Sequence, residues 1–251
     1  ASAPRASRGE TCVPDAAAAA GTATAAMRCP VCDGPSTWLD VVDFNKSCEE
    51  LRGVFLPLAG VPVYYARCGK CGFCHAPELY RWSLEEFSER IYNADYVKVD
   101  PDYLEARPRG NAEQLIRMIG ARAGEITHLD YGGGNGLLSD MLRDSGWQSR
   151  SYDPFVDRDV TIADLGRFDL VTAFEVFEHV PDVRGLAANL SRLLADDGVV
   201  IFSTLLSEGS LAPNRRIAWW YASPRNGHIS LFTRDSLYVL AAREGLHFGS
   251  F

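Results

Sequence analysis

Three sets of residues in this 251-residue chain have types and spacings that could do chemistry. The first is Asp130-Tyr131-Gly132-Gly133-Gly134-Asn135-Gly136, an acid ahead of a glycine turn, with a second acid, Asp153, 23 residues beyond the first. Glycines at 132, 134 and 136 let the backbone lie flush against a ligand, because no Cβ blocks the approach. An acid at that separation is one a βαβ unit carries to the end of its second strand, within reach of ribose hydroxyls. The second set is Cys29-x-x-Cys32 and Cys68-x-x-Cys71, two knuckles in which a tight turn lets a pair of thiolates face one ion. The third is two histidines, His179 in Glu175-Val176-Phe177-Glu178-His179-Val180-Pro181-Asp182 and His228 in the aromatic stretch from Trp219 to Phe232. A histidine near neutral pKa suits removal of a proton from an acceptor.

The elements that must position these groups are legible in the apolar pattern. Ile126 and Leu129 lead into the glycine turn as a strand, and Leu137, Leu138, Met141 and Leu142 follow at helical spacing until Gly146 stops them. Trp147 to Tyr152 reads as a second strand ending in Asp153-Pro154-Phe155, and Val160 to Ile162 as a short third. Phe168 to Phe174 is a continuous apolar run after one acid, the pattern of a buried fourth strand. It delivers Glu175 to Asp182 to the carboxyl edge, where open α/β sheets bind ligands. Leu186, Leu190, Leu193 and Leu194 mark a helix, Asp196-Asp197-Gly198 a turn, and Val199 to Ser203 a fifth strand. Thr233 is the expected N-cap of a last helix running to Glu244.

Upstream, Leu84, Phe87 and Ile91 predict a helix over Trp82 to Tyr92, and a second begins at Asn111 and continues through Leu115, Met118 and Ile119. The proline-broken, aromatic segment between them is placed to form a lid, in which Arg107 or Arg109 could pair with a ligand carboxylate. Between the two cysteine knuckles, Val54 to Leu58 and Val61 to Tyr65 have β-type composition. Four thiolates closing a tetrahedron point to a structural zinc, since a catalytic one keeps an open position. Cys74 and His75 are second-choice ligands, and Cys48 is expected as a buried or free thiol.

The glycine spacing excludes the dinucleotide pattern G-x-G-x-x-G, because position 137 is Leu. D-x-G-x-G-x-G instead resembles motif I of the class I S-adenosylmethionine (SAM) dependent methyltransferases. The string E-V-x-E-H-V-x-D resembles the post-glycine motif of ubiquinone-biosynthesis-type small-molecule methyltransferases. Gly227-His228-Ile229-Ser230-Leu231-Phe232 is similar to a loop of zinc-containing sugar C-methyltransferases, although those have an acid where this chain has Gly227. They also carry a further C-terminal domain, and the sheet of this fold has one strand more than expected here.

The resemblance covers about residues 125 to 247. It implies an α/β fold with a Rossmann-like, mostly parallel sheet behind a small N-terminal zinc ribbon. It implies SAM bound by Asp130, Tyr131, Gly132, Gly134, Asn135 and Gly136, then by Asp153, Pro154, Phe155, Phe174 and Glu175, with Asp164 near the adenine amino group. His228 is the first-choice base and His179 the second, while His75, His128 and His247 are expected to be structural. The expected organisation is a flexible tail over 1–26 that contains Cys12, a zinc ribbon over 27–77 held by Cys29, Cys32, Cys68 and Cys71, a helical linker or lid over 78–122, and a SAM-binding domain over 123–251.

Net charge is -8 with no strongly basic block, which disfavours a protein whose affinity comes from phosphate contacts. A small-molecule acceptor, a sugar or natural-product intermediate, is therefore expected, with no nucleic-acid partner. Seven cysteines, clustered and odd in number, suit metal binding in a reducing cytoplasm better than disulfides. No apolar run reaches membrane-spanning length. The alternatives are an RNA base methyltransferase targeted by its zinc module, and a zinc adaptor that binds SAM without catalysis.

Overall fold

The computed structural model describes residues 27–250. The expected tail over 1–26, with Cys12, lies outside the described residues. The first unit is a ribbon of antiparallel strands: β1 (Met27–Arg28), β2 (Pro35–Asp43), β3 (Pro62–Cys68) and β4 (Cys74–His75). Each knuckle lies at a hairpin end, Cys29 and Cys32 between β1 and β2, Cys68 at the end of β3 and Cys71 in the turn to β4. Of the two segments expected to be β-type between the knuckles, only the second joins the sheet. Residues 54–58 have no regular structure, and Phe55 and Leu58 are exposed.

Helix α1 (Leu84–Arg90) opens with a capping box in which the Ser83 side chain accepts from Glu86 N. Helix α2 (Ala106–Ile119) begins earlier than the sequence pattern suggests, since Pro108 fits the first turn of a helix and does not interrupt it. Arg107 and Arg109 thus project from a helix and not from a proline-broken loop.

The second sheet is wholly parallel, with β5 (Thr127–Tyr131), β6 (Gln148–Tyr152), β7 (Phe168–Phe174) and β8 (Leu194–Ser203) in the order β6-β5-β7-β8. Helix α3 (Leu137–Asp144) connects β5 to β6, and α5 (Val183–Leu193) connects β7 to β8. No strand forms over 160–162. Thr161 and Asp164 make a capping box instead, with Thr161 Oγ1 donating to Asp164 Oδ2 at 2.6 Å, and the short helix α4 (Ile162–Leu165) follows. A local side-chain cap outweighed the β preference of three branched residues. The turn expected at Asp196-Asp197-Gly198 is a bulge within β8, where the pairing jumps from Phe168–Leu194 to Leu170–Val199.

The order β6-β5-β7 reverses the winding at β5, so the carboxyl ends of β5 and β7 form the crevice where ligands of open α/β sheets bind. The chain then returns to the ribbon. β9 (Ser230–Leu231) pairs antiparallel with β4 as a fifth strand of the ribbon sheet, and α6 (Arg234–Arg243) follows from the Thr233 cap. One core runs through both units, joining Cys29, Cys68, Cys71 and Phe73 of the ribbon to Val171, Phe177 and Phe232. Asp33 fastens the first knuckle to α5 and α6 through Arg184 at 2.8 Å and Arg243 at 2.9 Å.

Candidate functional site

The crevice is a cavity of about 560 Å³ between the glycine turn and the α1–α2 segment. Its floor is the turn after β5, where Gly132, Gly134 and Gly136 all have positive φ. At Gly132 the need for glycine is also steric, as a Cβ there would approach Val176 Cγ2 to 2.5 Å. Asp153, at the end of β6, reaches across so that Gly134 N donates to its Oδ2 at 3.0 Å, while its Oδ1 takes the Phe155 amide at 2.8 Å. The two acids and the turn therefore meet at one point, as their sequence separation requires.

Asp130 is buried, and burial pushes its carboxyl up to about 7. Its Oδ1 accepts from Thr172 Oγ1 at 2.7 Å. With that hydroxyl proton committed, His128 Nε2, 3.0 Å from the same oxygen, must donate to it, and His128 Nδ1 accepts from Ser149 Oγ at 2.7 Å. His128 is thus structural, and burial holds it down at about 4.

Of the residues expected to hold a cofactor, Asp130, Tyr131, Gly132, Gly134 and Asn135 line the cavity, as do Asp153, Pro154, Phe155, Phe174 and Glu175. Gly136 does not line it and instead closes the turn, its amide donating to Gly133 O at 2.9 Å. Asp164 also lies outside the lining, committed to the cap of α4. The roof carries Tyr92, Tyr96, Tyr103 and Arg107. Arg107 is held by both oxygens of Asp100, at 2.9 and 2.7 Å, whereas Arg109 turns outward to Glu105.

At the far end, beyond β7, stands a cluster that sequence reading did not assemble. Glu178 is fully buried. Its Oε1 accepts from the Tyr221 hydroxyl at 2.6 Å, and its Oε2 has no partner among the described residues. His179 lines the cavity, with Nε2 3.9 Å from Glu178 Oε1 and Nδ1 without a partner among the described residues. His228 packs behind His179 with ring centroids 4.9 Å apart, away from the cavity lining. Its Nδ1 lies 2.7 Å from Tyr221 O, a carbonyl that can only accept, so Nδ1 carries the proton and Nε2 keeps a free lone pair.

Burial drives Glu178 well above the usual carboxylate range, and Glu175 adds to it. It also lowers His179 to about 4 and His228 well below its ordinary value. At neutral pH both imidazoles are neutral and stand beside the raised Glu178 carboxyl, an arrangement able to receive a proton or a cation. The atoms of Glu178, His179 and His228 all lie within 4.8 Å of one another.

Gly227 explains why the acid of the sugar-methyltransferase loop has no counterpart at this position. Its φ is +86°, and a Cβ would come within 2.8 Å of Tyr92 Oη and 3.1 Å of His179 Nδ1. The carboxylate beside the histidines comes from Glu178 instead. The E-x-x-E-H spacing was the available signal, because it carries the second acid and the histidine past the same sheet edge.

Cys29, Cys32, Cys68 and Cys71 converge, with Sγ–Sγ distances of 3.7 Å for Cys29–Cys71 and 3.5 Å for Cys32–Cys68. A tetrahedral Zn²⁺ with bonds near 2.3 Å needs edges of about 3.8 Å. Backbone amides point at the sulfurs, Gly34 N to Cys32 at 3.4 Å and Lys70 N to Cys68 at 3.3 Å, as thiolate ligands require. Cys74 and His75 are buried in β4, paired to β9 and outside this group. Cys48 is a half-buried thiol on Ser223 Oγ at 3.0 Å.

The model of a family described as a methyltransferase domain matches residues 103–248. The chain belongs to that methyltransferase domain family. Its fold is that of the class I SAM-dependent enzymes, with the glycine turn and both acids at the switch point of a parallel sheet. The chain is also 42% identical over 64 residues to the ubiquinone biosynthesis O-methyltransferase of Thiobacillus denitrificans, a match spanning 26% of this chain and 27% of that relative. Among solved structures it is similar to a Burkholderia thailandensis 1,6-didemethyltoxoflavin-N1-methyltransferase at 19% identity, covering 70% of this chain and 84% of that one with a TM-score of 0.42. It is likewise similar to the magnesium protoporphyrin IX methyltransferase of Synechocystis PCC 6803 at 15% identity, covering 67% and 86% with a TM-score of 0.41. No helix among the described residues is long and apolar enough to cross a membrane.

Proposed function

We propose that this protein transfers the methyl group of SAM to a small acceptor, a sugar or natural-product intermediate, seated between the glycine turn and the tyrosine-rich roof. The observation that carries the reading is the placement of both acids and the glycine turn at one end of a cavity whose other end is His179. The residues fit the cofactor: Gly134 lines the cavity at positive φ with open space where a Cβ would stand, Asp153 would offer its carboxyl to the ribose hydroxyls, and Arg107 lines the cavity as a cation that would meet a ligand carboxylate. SAM supplies its own electrophile, a methyl on a sulfonium.

The protein's task is then to orient the acceptor, exclude water and take a proton. His179 is the proton acceptor because it lines the cavity and is neutral at physiological pH. His228 and Glu178 stand behind it and fix its environment, a rearrangement of the order expected from the sequence. The four cysteines hold Zn²⁺ as scaffold.

Titration calorimetry with SAM and its demethylated product, followed by labelled-methyl transfer to sugar, natural-product and RNA pools, tests the reading. His179→Ala is expected to keep cofactor affinity and lose turnover. Salt-sensitive RNA binding with RNA methylation would decide for the nucleic-acid alternative.

A second reading is favoured by the unpartnered Glu178 Oε2 beside two imidazole lone pairs. In it Glu178, His179 and His228 would hold a divalent cation, which would supply Lewis acidity toward the acceptor, with Tyr221 fixing both Glu178 and His228 from behind. A bound metal equivalent that disappears in Glu178→Gln would decide for this reading.

A further inference from the structure

The loop that carries His228 is fastened to the ribbon at several points along its length. β9 pairs with β4 through Cys74–Leu231 and His75–Ser230, and Ala76 N donates to Ile229 O at 2.9 Å. Tyr65, on β3 and wholly buried, donates its hydroxyl to the backbone carbonyl of His228 at 2.7 Å. Cys48 N donates to Asn226 Oδ1 at 2.8 Å, and Arg225 N to Lys46 O at 3.2 Å. Toward the parallel sheet, Ile229 N reaches Glu178 O at 2.9 Å, Ser230 Oγ reaches Val180 O at 2.8 Å, the Tyr221 hydroxyl reaches Glu178 Oε1 at 2.6 Å, and Ser207 N reaches Phe232 O at 2.8 Å.

The strands that do the holding start at one knuckle. β3 ends at Cys68, and β4 begins three residues after Cys71. β3 and β4 pair with each other through Ala66–His75 and Arg67–Cys74, and whatever joins Cys68 and Cys71 to Cys29 and Cys32 braces the turn between the strand bearing Tyr65 and the strand that pairs with β9. A third tie runs the same way, since Thr233 Oγ1, just past β9, donates to Cys71 O at 2.5 Å.

The cofactor end is built differently. Asp130 leans on Thr172, and through it on His128 and Ser149, while Gly134 leans on Asp153. All of these belong to β5, β6, β7 and the turns that follow β5 and β6, and the ribbon supplies none of them.

We infer that Tyr65 and the β4–β9 pairing are the positioning elements of His228, and that the cysteine knuckles thereby set the acceptor end of the site without shaping the cofactor end. This rests on the proposed reading of the His179–His228 pair as acceptor-side chemistry and of the four cysteines as ligands of one metal ion. A hydrogen bond to a backbone carbonyl is a means of placing a ring without touching it. A displacement of about 1 Å at such a ring costs on the order of a hundredfold in rate.

The test uses the full chain in two arms. In Tyr65→Phe, which keeps volume and removes only the hydroxyl, kcat is expected to fall about tenfold, the equivalent of one buried hydrogen bond. The KM for SAM, the affinity for S-adenosylhomocysteine and the metal content should stay unchanged, and the His228 ring nitrogen resonances should shift. In the second arm the metal is stripped with a chelator. Amide exchange at Ala76 should then accelerate at least about tenfold while S-adenosylhomocysteine affinity stays within about threefold.

An unchanged kcat with unshifted His228 resonances in Tyr65→Phe would overturn the inference. So would loss of S-adenosylhomocysteine affinity on chelation, or unaltered exchange at Ala76. The resonance, exchange and affinity measurements need no turnover. If no acceptor is ever methylated, the catalytic reading fails while the positioning inference is still decided.

Discussion

Tyr221 holds Glu178 through its hydroxyl, donating to Oε1 at 2.6 Å, and both residues are buried. The same tyrosine's carbonyl takes the Nδ1 proton of His228 at 2.7 Å, so one residue fixes the acid and the imidazole together. Tyr221→Phe removes the hydroxyl and leaves a buried carboxyl with no donor at either oxygen. The variant is expected to lose about 1–3 kcal/mol of stability, the cost of one orphaned buried polar group. Its turnover should fall while SAM affinity holds, because Tyr221 does not line the cavity. Urea denaturation and steady-state kinetics on the same preparation check both.

The Asp130 carboxyl is held up at about 7 by burial, with the Asp153 charge adding to it and the Thr172 hydroxyl opposing. Below that pH it is largely neutral. A cofactor carrying a sulfonium and an ammonium favours the ionised form, so binding is coupled to proton release from Asp130. Affinity is therefore expected to be full above pH 7 and to weaken as pH falls through it, by up to about tenfold per unit. Calorimetry with SAM between pH 5.5 and pH 8.5, about one and a half units to either side of that value, should show the slope. Asp130→Asn should abolish it.

Gly227 sits at φ +86° against Tyr92 Oη and His179 Nδ1. Gly227→Ala meets two penalties, a left-handed backbone worth about 1–2 kcal/mol for a residue with a Cβ, and the displacement of His179. Turnover should drop sharply and stability modestly, with S-adenosylhomocysteine affinity little changed. Equal loss of affinity and turnover would show that the His179 wall and the cofactor end are not separable.

What the sequence made legible were features with short-range rules. The glycine turn, the second acid, the Thr233 cap and the two knuckles each rest on spacing within one or two elements, and each stands where expected. The third strand failed for a reason of the same kind, because Thr161 and Asp164 formed a local cap that a count of branched residues does not register. The two histidines were legible as a pair, but the residues that hold them, Glu178, Tyr65 and Tyr221, were not, because those contacts join parts far apart in the chain. Tyr65 reaches His228 across 163 residues, and Tyr221 reaches Glu178 across 43. β9, two residues long, has no periodicity to read, yet it ties the ribbon to the loop that carries His228.

Arg107 and Arg109 were interchangeable candidates for the cofactor carboxylate until α2 was seen to separate them. Two residues apart on a helix, they point some 200° from each other about its axis. Arg107 faces the cavity with its guanidinium steadied by both oxygens of Asp100, while Arg109 pairs with Glu105 at the surface. A charge-assisted pair to a ligand carboxylate contributes about 1.5–3 kcal/mol, so Arg107→Ala should raise the KM for SAM between about tenfold and a hundredfold. Arg109→Ala removes only an exposed ion pair, which contributes about 0–1 kcal/mol, and should leave KM unchanged. Arg107→Ala also strands Asp100, so Asp100→Asn is the control. It keeps the guanidinium and loosens only its support, and it should raise KM by less than Arg107→Ala does. If the two variants raise KM equally, Arg107 acts by bracing the roof and not by meeting the carboxylate.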